Sequence, residues 1–309
     1  MKILILGATG FLGKSLVKSL KDKHKIYQIS KSKNIDLTNI KKSKNFFFKN
    51  NPDVIINCAG YGYSVHYISS HPHEILDNNL RINLNIYEIV RKMKKKPKII
   101  NILCNCSYPG GTKIQNEKKW SEGKVHESVY TSGNIHRLRY LISKASYQQY
   151  GIKSINLIFG GFFGPGDHLA DDRLHALDGI VLRMTQAKKK NLKNFYIYGS
   201  GKPVREWIFI EDAVKIVIKA LKINDAVIEP INITNNLSLS INNIALITKK
   251  YLNFKGKLIH NKKFKDGDLI KKMDKKSYRF RKYFNKFKFQ NFNTSMKKTI
   301  EYYKSKVLF

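Results

Sequence analysis

Apolar positions along this chain change rhythm several times. Lys2–Leu6 is a short, β-branched apolar run and predicts a strand. Phe11–Leu20 then carries apolar residues at helical spacing. Lys25–Ile29 predicts a second strand. Asp53–Asn57 predicts a third, apolar on both faces as a buried parallel strand is. A long helix is expected over Ile75–Met93, a strand over Lys98–Leu103, another long helix over Ser132–Tyr150 and a strand over Ser154–Phe159. Such alternation predicts an α/β chain built on a doubly wound parallel sheet. Its ligand belongs at the carboxyl ends of the strands. From Gly160 the rhythm breaks, and glycines recur through Gly166. A helix over Leu177–Lys189 and a strand over Phe195–Tyr198 follow, then a tail with helices and one strand, Lys257–His260.

The first strand runs straight into Gly7-Ala-Thr9-Gly10-Phe11-Leu12-Gly13, which opens a helix. In that setting the spacing is a dinucleotide-binding signature. Gly7 permits the tight turn, Gly10 the approach of a pyrophosphate and Gly13 the close packing of helix on sheet. The helix N-terminus faces the phosphate charge. The fold expected is therefore a Rossmann sheet with a smaller C-terminal α/β substrate lobe. Residues 1–165 form the dinucleotide-binding part, with 205–235 returning to it, and 166–204 with 236–309 form the lobe. The second strand ends in Ser30-Lys31-Ser32 and has no acid for a ribose 2′-hydroxyl. Ser30 and Lys31 suit a 2′-phosphate, so NADP(H) is expected in preference to NAD(H). Asp36, beside Leu37, offers an acceptor to the adenine amine, and Cys58-Ala59-Gly60 offers small residues beside the cofactor.

Composition changes this picture little. The formal net charge is +36, and only nine of the 58 basic residues are Arg. Scattered lysine reads as a solvated surface that attracts an anionic substrate, not as a nucleic-acid groove. No apolar run approaches the ~18–20 residues of a membrane span. The first strand leads directly into the glycine loop with no cleavage signal, so a cytoplasmic protein is expected. Cys58, Cys104 and Cys106 form no disulfide framework. Cys104-Asn-Cys106 has no His or Cys nearby at ligand spacing in the sequence, so no metal is expected.

These stretches resemble the extended short-chain dehydrogenase/reductase family of nucleotide-sugar enzymes, the epimerase/dehydratase group. The GDP-L-fucose synthase branch is the nearest likeness. Gly7–Gly13 matches the fingerprint, and Asn79 and Asn85 with Ile86-Tyr-Glu88 match the fourth-helix pattern. Cys104-Asn-Cys106-Ser-Tyr-Pro109 is similar to the catalytic loop. Gly164-Pro-Gly-Asp167, Gly199-Ser-Gly-Lys-Pro-Val-Arg-Glu206, Ile210-Glu-Asp212 and Asp266-Gly267 through Asp274 are similar to later motifs. The resemblance implies Cys106 and His175 as the acid–base pair of epimerisation beside a 4-keto group. It implies Arg183, Arg205 and Lys271 as holders of the nucleotide diphosphate. It also implies a homodimer built on the two long helices, and a role in bacterial surface polysaccharide synthesis.

One part departs from the family. Its Tyr-x-x-x-Lys pair is not where it belongs. Taking Tyr130 as the tyrosine puts Asn134 at the lysine, whereas counting back from Tyr150-Gly151 puts Ser132 and His136 there. A literal match, Tyr140-Leu-Ile-Ser-Lys144, lies eight residues beyond the latter position. The Ser or Thr partner is replaced by Cys104. Tyr130 is expected to donate the proton at O4, aided by Asn134 or by the charge of His136. The chemistry expected is C4 reduction of a GDP-4-keto-6-deoxy sugar, with or without C3/C5 epimerisation. Epimerisation without net redox, and a non-catalytic dinucleotide-binding subunit, are the alternatives.

Overall fold

The computed structural model describes residues 1–62, 65–170 and 174–307. The first half runs β1 (Lys2–Leu6), α1 (Phe11–Leu20), β2 (Lys25–Ile29), α2 (Ile40–Asn50), β3 (Val54–Asn57), α3 (Val65–Ser70), α4 (Pro72–Arg91), β4 (Lys98–Cys104), α5 (Tyr130–Tyr150) and β5 (Ser154–Phe159). The second half runs β6 (Gly161–Phe163), α6 (Ala176–Lys189), β7 (Asn194–Tyr198), β8 (Val204–Phe209), α7 (Ile210–Ala220), β9 (Val227–Ile233), β10 (Ser238–Ser240), α8 (Ile241–Leu252), β11 (Lys257–Asn261), β12 (Ile270–Lys271), α9 (Tyr278–Phe284) and α10 (Phe292–Val307).

Six strands form one parallel sheet in the order β2-β1-β3-β4-β5-β9. Alternation along β1 explains why it is covered on both sides. Ile3 and Ile5 join one core with α1 and α7, and Leu4 and Leu6 join another with α4. Chain direction across the sheet reverses beside β1, which opens a crevice past the ends of β1 and β3. β9 comes from late in the chain, carries Pro230 and takes the edge place a proline tolerates. A second sheet has the order β10-β8-β12 with β6 also on β8, and β11 pairs β7.

The long helices start earlier than their apolar pattern. α4 begins at Pro72, which suits a first helical position, with Glu74 in the first turn. The buried centre of the sheet carries an asparagine ladder. Asn57 donates to Asn101 at 3.2 Å, and Asn101 donates to Asn156 at 2.9 Å, each in register with the next.

Candidate active site

Gly7 sits at φ +72°, and a Cβ there would meet the Cys58 carbonyl oxygen at 2.8 Å. A Cβ on Gly13 would meet the Gly7 oxygen at 2.1 Å, so helix and loop close only around glycine. Gly10 caps α1 without a side-chain bond, and no acid lies in the first turn. The leading N–H groups of Phe11, Leu12 and Gly13 are thus left to an anion. At the end of β2, the hydroxyls of Ser30, Ser32 and Thr9 form a chain at 3.2 and 3.0 Å. Lys31 stands beside it, 3.7 Å from Asp36 and well exposed.

Asp36 accepts from the Thr38 N–H at 2.9 Å and hydroxyl at 2.8 Å. Burial works against its charge, but the Thr38 bonds and Lys31 hold it below the ordinary carboxylate range. Asn85 donates to the Leu37 carbonyl at 2.8 Å, and Asn79 accepts from the Tyr61 N–H at 2.9 Å. Helix α4 therefore pins the loops after β2 and β3. Arg139, from α5, donates to the Ala59 carbonyl at 2.6 Å and to that of Ile102 at 2.8 Å. Burial lowers its pKa to about 10, so it stays charged at neutrality. This cradle fits a dinucleotide: the Gly7–Gly13 loop for the pyrophosphate, Asp36 and Leu37 for the adenine side, and Cys58–Gly60 for the far ribose.

Beyond β4, Cys104-Asn-Cys106 forms a tight turn in which the Cys106 N–H donates to the Cys104 sulfur at 3.3 Å. The Cys106 thiol also donates to that sulfur, which holds Cys104 below the ordinary thiol range and drives Cys106 above it. Helix α5 packs on this turn so closely that a Cβ on Gly133 would meet the Cys106 oxygen at 2.7 Å. Ser132 and His136, one helical turn apart, share the face toward the cysteines. Ser132 lies near enough to the Cys106 thiol to work against its upward shift, and His136 brings a ring nitrogen within 4.8 Å of both sulfurs.

The candidate residues divide between two faces of α5. Tyr130 opens α5 and is 59% exposed; its N–H donates to the Glu127 carbonyl and its own carbonyl accepts from Asn134 at 3.0 Å. Tyr130 and Asn134 lie two residues, or about 200° of helix, from Ser132 and His136, so they turn away from the cysteines. His136 is driven down to about 3 by burial and by Arg139, so it is neutral and supplies no charge. The fold, not sequence spacing, brings His136 beside the Cys104–Cys106 turn, with the two sulfurs and a ring nitrogen within 4.8 Å of one another. The literal Tyr140/Lys144 pair bonds Glu229 on β9 while Tyr140 packs edge-on against Trp120.

His175 lies across from this turn. Its Nδ1 meets the Asp167 carboxylate at 2.8 Å, and its ring contacts Phe11 of the glycine loop at 5.5 Å. Burial opposes the imidazolium, but Asp167 outweighs it and raises the His175 pKa. Asp178, fully buried, is pushed well up by that burial and accepts from the Tyr303 hydroxyl at 3.0 Å. Arg205 and Lys271 are directly opposite in the β8–β12 ladder, so their side chains leave on one face. Arg205 spends its bonds on the Val204 and Asp268 carbonyls, and Lys271 is an electrostatic neighbour of Cys104. No ion pair to either is found among the described residues. Arg183 is elsewhere: it lies 4.1 Å over the Tyr198 ring in a groove of about 420 Å³ that Phe264 also lines. Nothing among the described contacts joins it to Arg205 or Lys271.

Sequence reasoning missed Arg139 and Asp167 as functional groups. Asp167 stood in a quoted motif, but its partner was eight residues away, and Arg139 had no motif at all.

The arrangement matches known proteins. A model of the NAD dependent epimerase/dehydratase family matches residues 3–234. The chain belongs to that family. A probable GDP-L-fucose synthase of Drosophila melanogaster is 26% identical over 98% of this chain and 97% of its own. The solved structure of a GDP-6-OMe-4-keto-L-xylo-heptose reductase from C. jejuni superposes with a TM-score of 0.87 at 20% identity, over 99% and 98% of the two chains. A GDP-L-fucose synthetase from Naegleria fowleri bound to NADP gives 0.84 at 24% identity, over 98% and 92%. These likenesses establish the sheet and lobe of an epimerase/dehydratase protein. Among the described residues, no helix is long and apolar enough to cross a membrane.

Proposed function

We propose that this epimerase/dehydratase protein is an NADPH-dependent enzyme that reduces C4 of a GDP-linked 4-keto-6-deoxy sugar. The observation that carries this is the pair Arg205 and Lys271, two buried or half-buried cations on one face of a ladder beside Cys104. A diphosphate is the ligand that uses both. GDP-sugar enzymes among the relatives and the NADP-bound Naegleria structure support the substrate and cofactor classes.

When bound, NADPH supplies the hydride. Ser30, Lys31 and Ser32 would hold a 2′-phosphate, and the α1 N-terminus the pyrophosphate. Arg205 and Lys271 would hold the sugar's diphosphate and set C4 against the nicotinamide end. Ser132, beside Cys106, would hold the keto oxygen. On this reading residues 1–165 with 205–235 carry the cofactor, and 166–204 with 236–309 carry the sugar nucleotide. Two chains would pair through α4 and α5, which leave Leu84 and Leu141 more than half exposed. Surface polysaccharide synthesis is the setting such a product suits.

A second reading, C3/C5 epimerisation, is favoured by one observation. His175 is fixed by Asp167, which favours its imidazolium, across from Cys106: an imidazole and a thiol for opposite faces of a sugar ring. The test is NADPH consumption with GDP-4-keto-6-deoxymannose and its heptose analogue. Turnover with either is expected. Deuterium uptake from solvent with no NADPH consumption would replace reduction by epimerisation. NADPH binding with no GDP binding would leave only a non-catalytic subunit.

A further inference from the structure

Cys104, Cys106 and His136 gather two sulfurs and one imidazole nitrogen within 4.8 Å of one another. We propose that they form a site for one thiophilic divalent cation, zinc by its chemistry. Three observations point the same way. The donor set is S, S, N, which soft cations of the zinc class prefer. Three protein ligands of this kind, with a fourth position left for water or substrate, are a recurring zinc arrangement. The donors are also held by rigid parts of the fold. Cys104 ends β4, where it is in register with Phe159 of β5, and Cys106 follows in a tight turn whose N–H already bonds the Cys104 sulfur at 3.3 Å. Backbone N–H donors of this kind orient a ligating thiolate. His136 comes from α5, locked on the turn by the contact at Gly133.

The second, independent sign is an orphan. His136 Nδ1 is buried and has no hydrogen-bond partner among the described residues. A buried imidazole nitrogen left unpaired is costly unless a ligand takes the ring. Binding balances simply. Two thiols lose their protons, the dication takes their place, and the neutral imidazole completes the set, so the loaded site carries no net charge.

One consequence rests on the proposed function. A metal-bound Cys106 sulfur is not a proton carrier, so the zinc-loaded chain would reduce without exchanging C3 or C5 protons. The open fourth position would then accept the keto oxygen and polarise it, the work that neither the exposed Tyr130 nor the neutral His136 does.

The test is titration of the full-length protein with Co²⁺, read by thiolate-to-cobalt charge-transfer and tetrahedral d–d absorption. One cobalt per chain with both bands is expected. Cys106→Ser and His136→Ala each weaken binding at least tenfold, and Cys58→Ser leaves the spectrum as it was. Far-UV circular dichroism and the thermal melt of each variant report that it is folded. A measurement on the unaltered chain needs no variant: zinc should protect two of the three thiols from alkylation, seen by intact mass. No charge-transfer band, or three thiols alkylated alike with and without zinc, overturns the site. Turnover of the GDP-sugar without a cobalt signal defeats the site and leaves the function standing. A cobalt signal without turnover upholds the site and defeats the function.

Discussion

The two ends of β1 and β4 lie in one sheet, separated only by β3, yet they are specified in opposite ways. Past β1, the glycine loop is dictated by backbone sterics: Gly13 has room for no Cβ, and α1 has neither a cap nor an acid to compete with a phosphate. Past β4, sterics dictate only Gly133, where α5 meets the turn. Cys104, Cys106, Ser132 and His136 occupy a turn and a helix face that would accept other residues of similar size. A scaffold of this kind keeps its cofactor end constant and lets its reaction end drift.

The sharpest way to break that contrast is at Gly13. A Val there has to displace the Gly7 carbonyl, so Gly13→Val should weaken NADPH binding by about 100-fold or more, roughly 3 kcal/mol at the upper range of overpacking. Fluorescence titration of NADPH measures it. Binding within a few fold of the unaltered chain would mean that the loop yields and is not sterically dictated.

The substrate side is next. Arg205→Ala and Lys271→Ala each remove a charge-assisted contact, expected at about 1.5–3 kcal/mol, or roughly 10–100-fold in GDP affinity. NADPH affinity should stay constant in both. Calorimetric titration with GDP and NADPH separates the two sites. Parallel loss of both ligands would show that the pair holds the fold and not the nucleotide.

The same contrast explains what could be read from the residues. β1, α1, β2 and β5 have the bounds their apolar pattern predicts, because that pattern is local to each segment. α2 was hidden by its lysines, and β9 by Pro230. The glycine loop was legible because its signal is local. The Cys104–Cys106 turn was legible as a motif, but its assembly with His136, thirty residues beyond Cys106, and with Lys271 on the far strand β12 was not, because those partners are distant in sequence. The motif that looked right, Tyr140 with Lys144, is a packing pair, and the one that looked damaged is the one that faces the cysteines.

Smaller effects should come from the His175–Asp167 pair. The His175 pKa is raised above 6.5 in the fold, so its stabilisation is complete below 6.5 and is lost as pH rises through the raised value. The Asp167 pKa is lowered below 3.8, so its share is present above 3.8 and is lost as pH falls through the lowered value. The pair therefore stabilises most between these limits. The His175 side chain is 37% exposed, so solvent screening keeps the effect at about 1 kcal/mol or less. Urea melts of His175→Asn against the unaltered chain should differ most near pH 5–6 and converge at high pH. A difference that grows above pH 8 would show that the neutral imidazole, not the ion pair, is what the fold uses.

The smallest effect expected is at Tyr130, and it decides which helix register carries the chemistry. The side chain is 59% exposed, and the adjoining face of α5, with Asn134, turns from the cysteine turn. Surface changes of this kind are worth about 0.5 kcal/mol or less. Tyr130→Phe should therefore alter kcat/KM for the GDP-sugar by less than about twofold. If the phenol were the proton donor at O4, its loss would cost a general-acid factor of about 10²–10⁴ in kcat. A fall of that size would mean that Tyr130 swings into the cleft when substrate is bound, and would return the chemistry to the Tyr130–Asn134 face. An unchanged rate leaves the polarisation of the keto oxygen to the face that Ser132 and His136 share with the two cysteines.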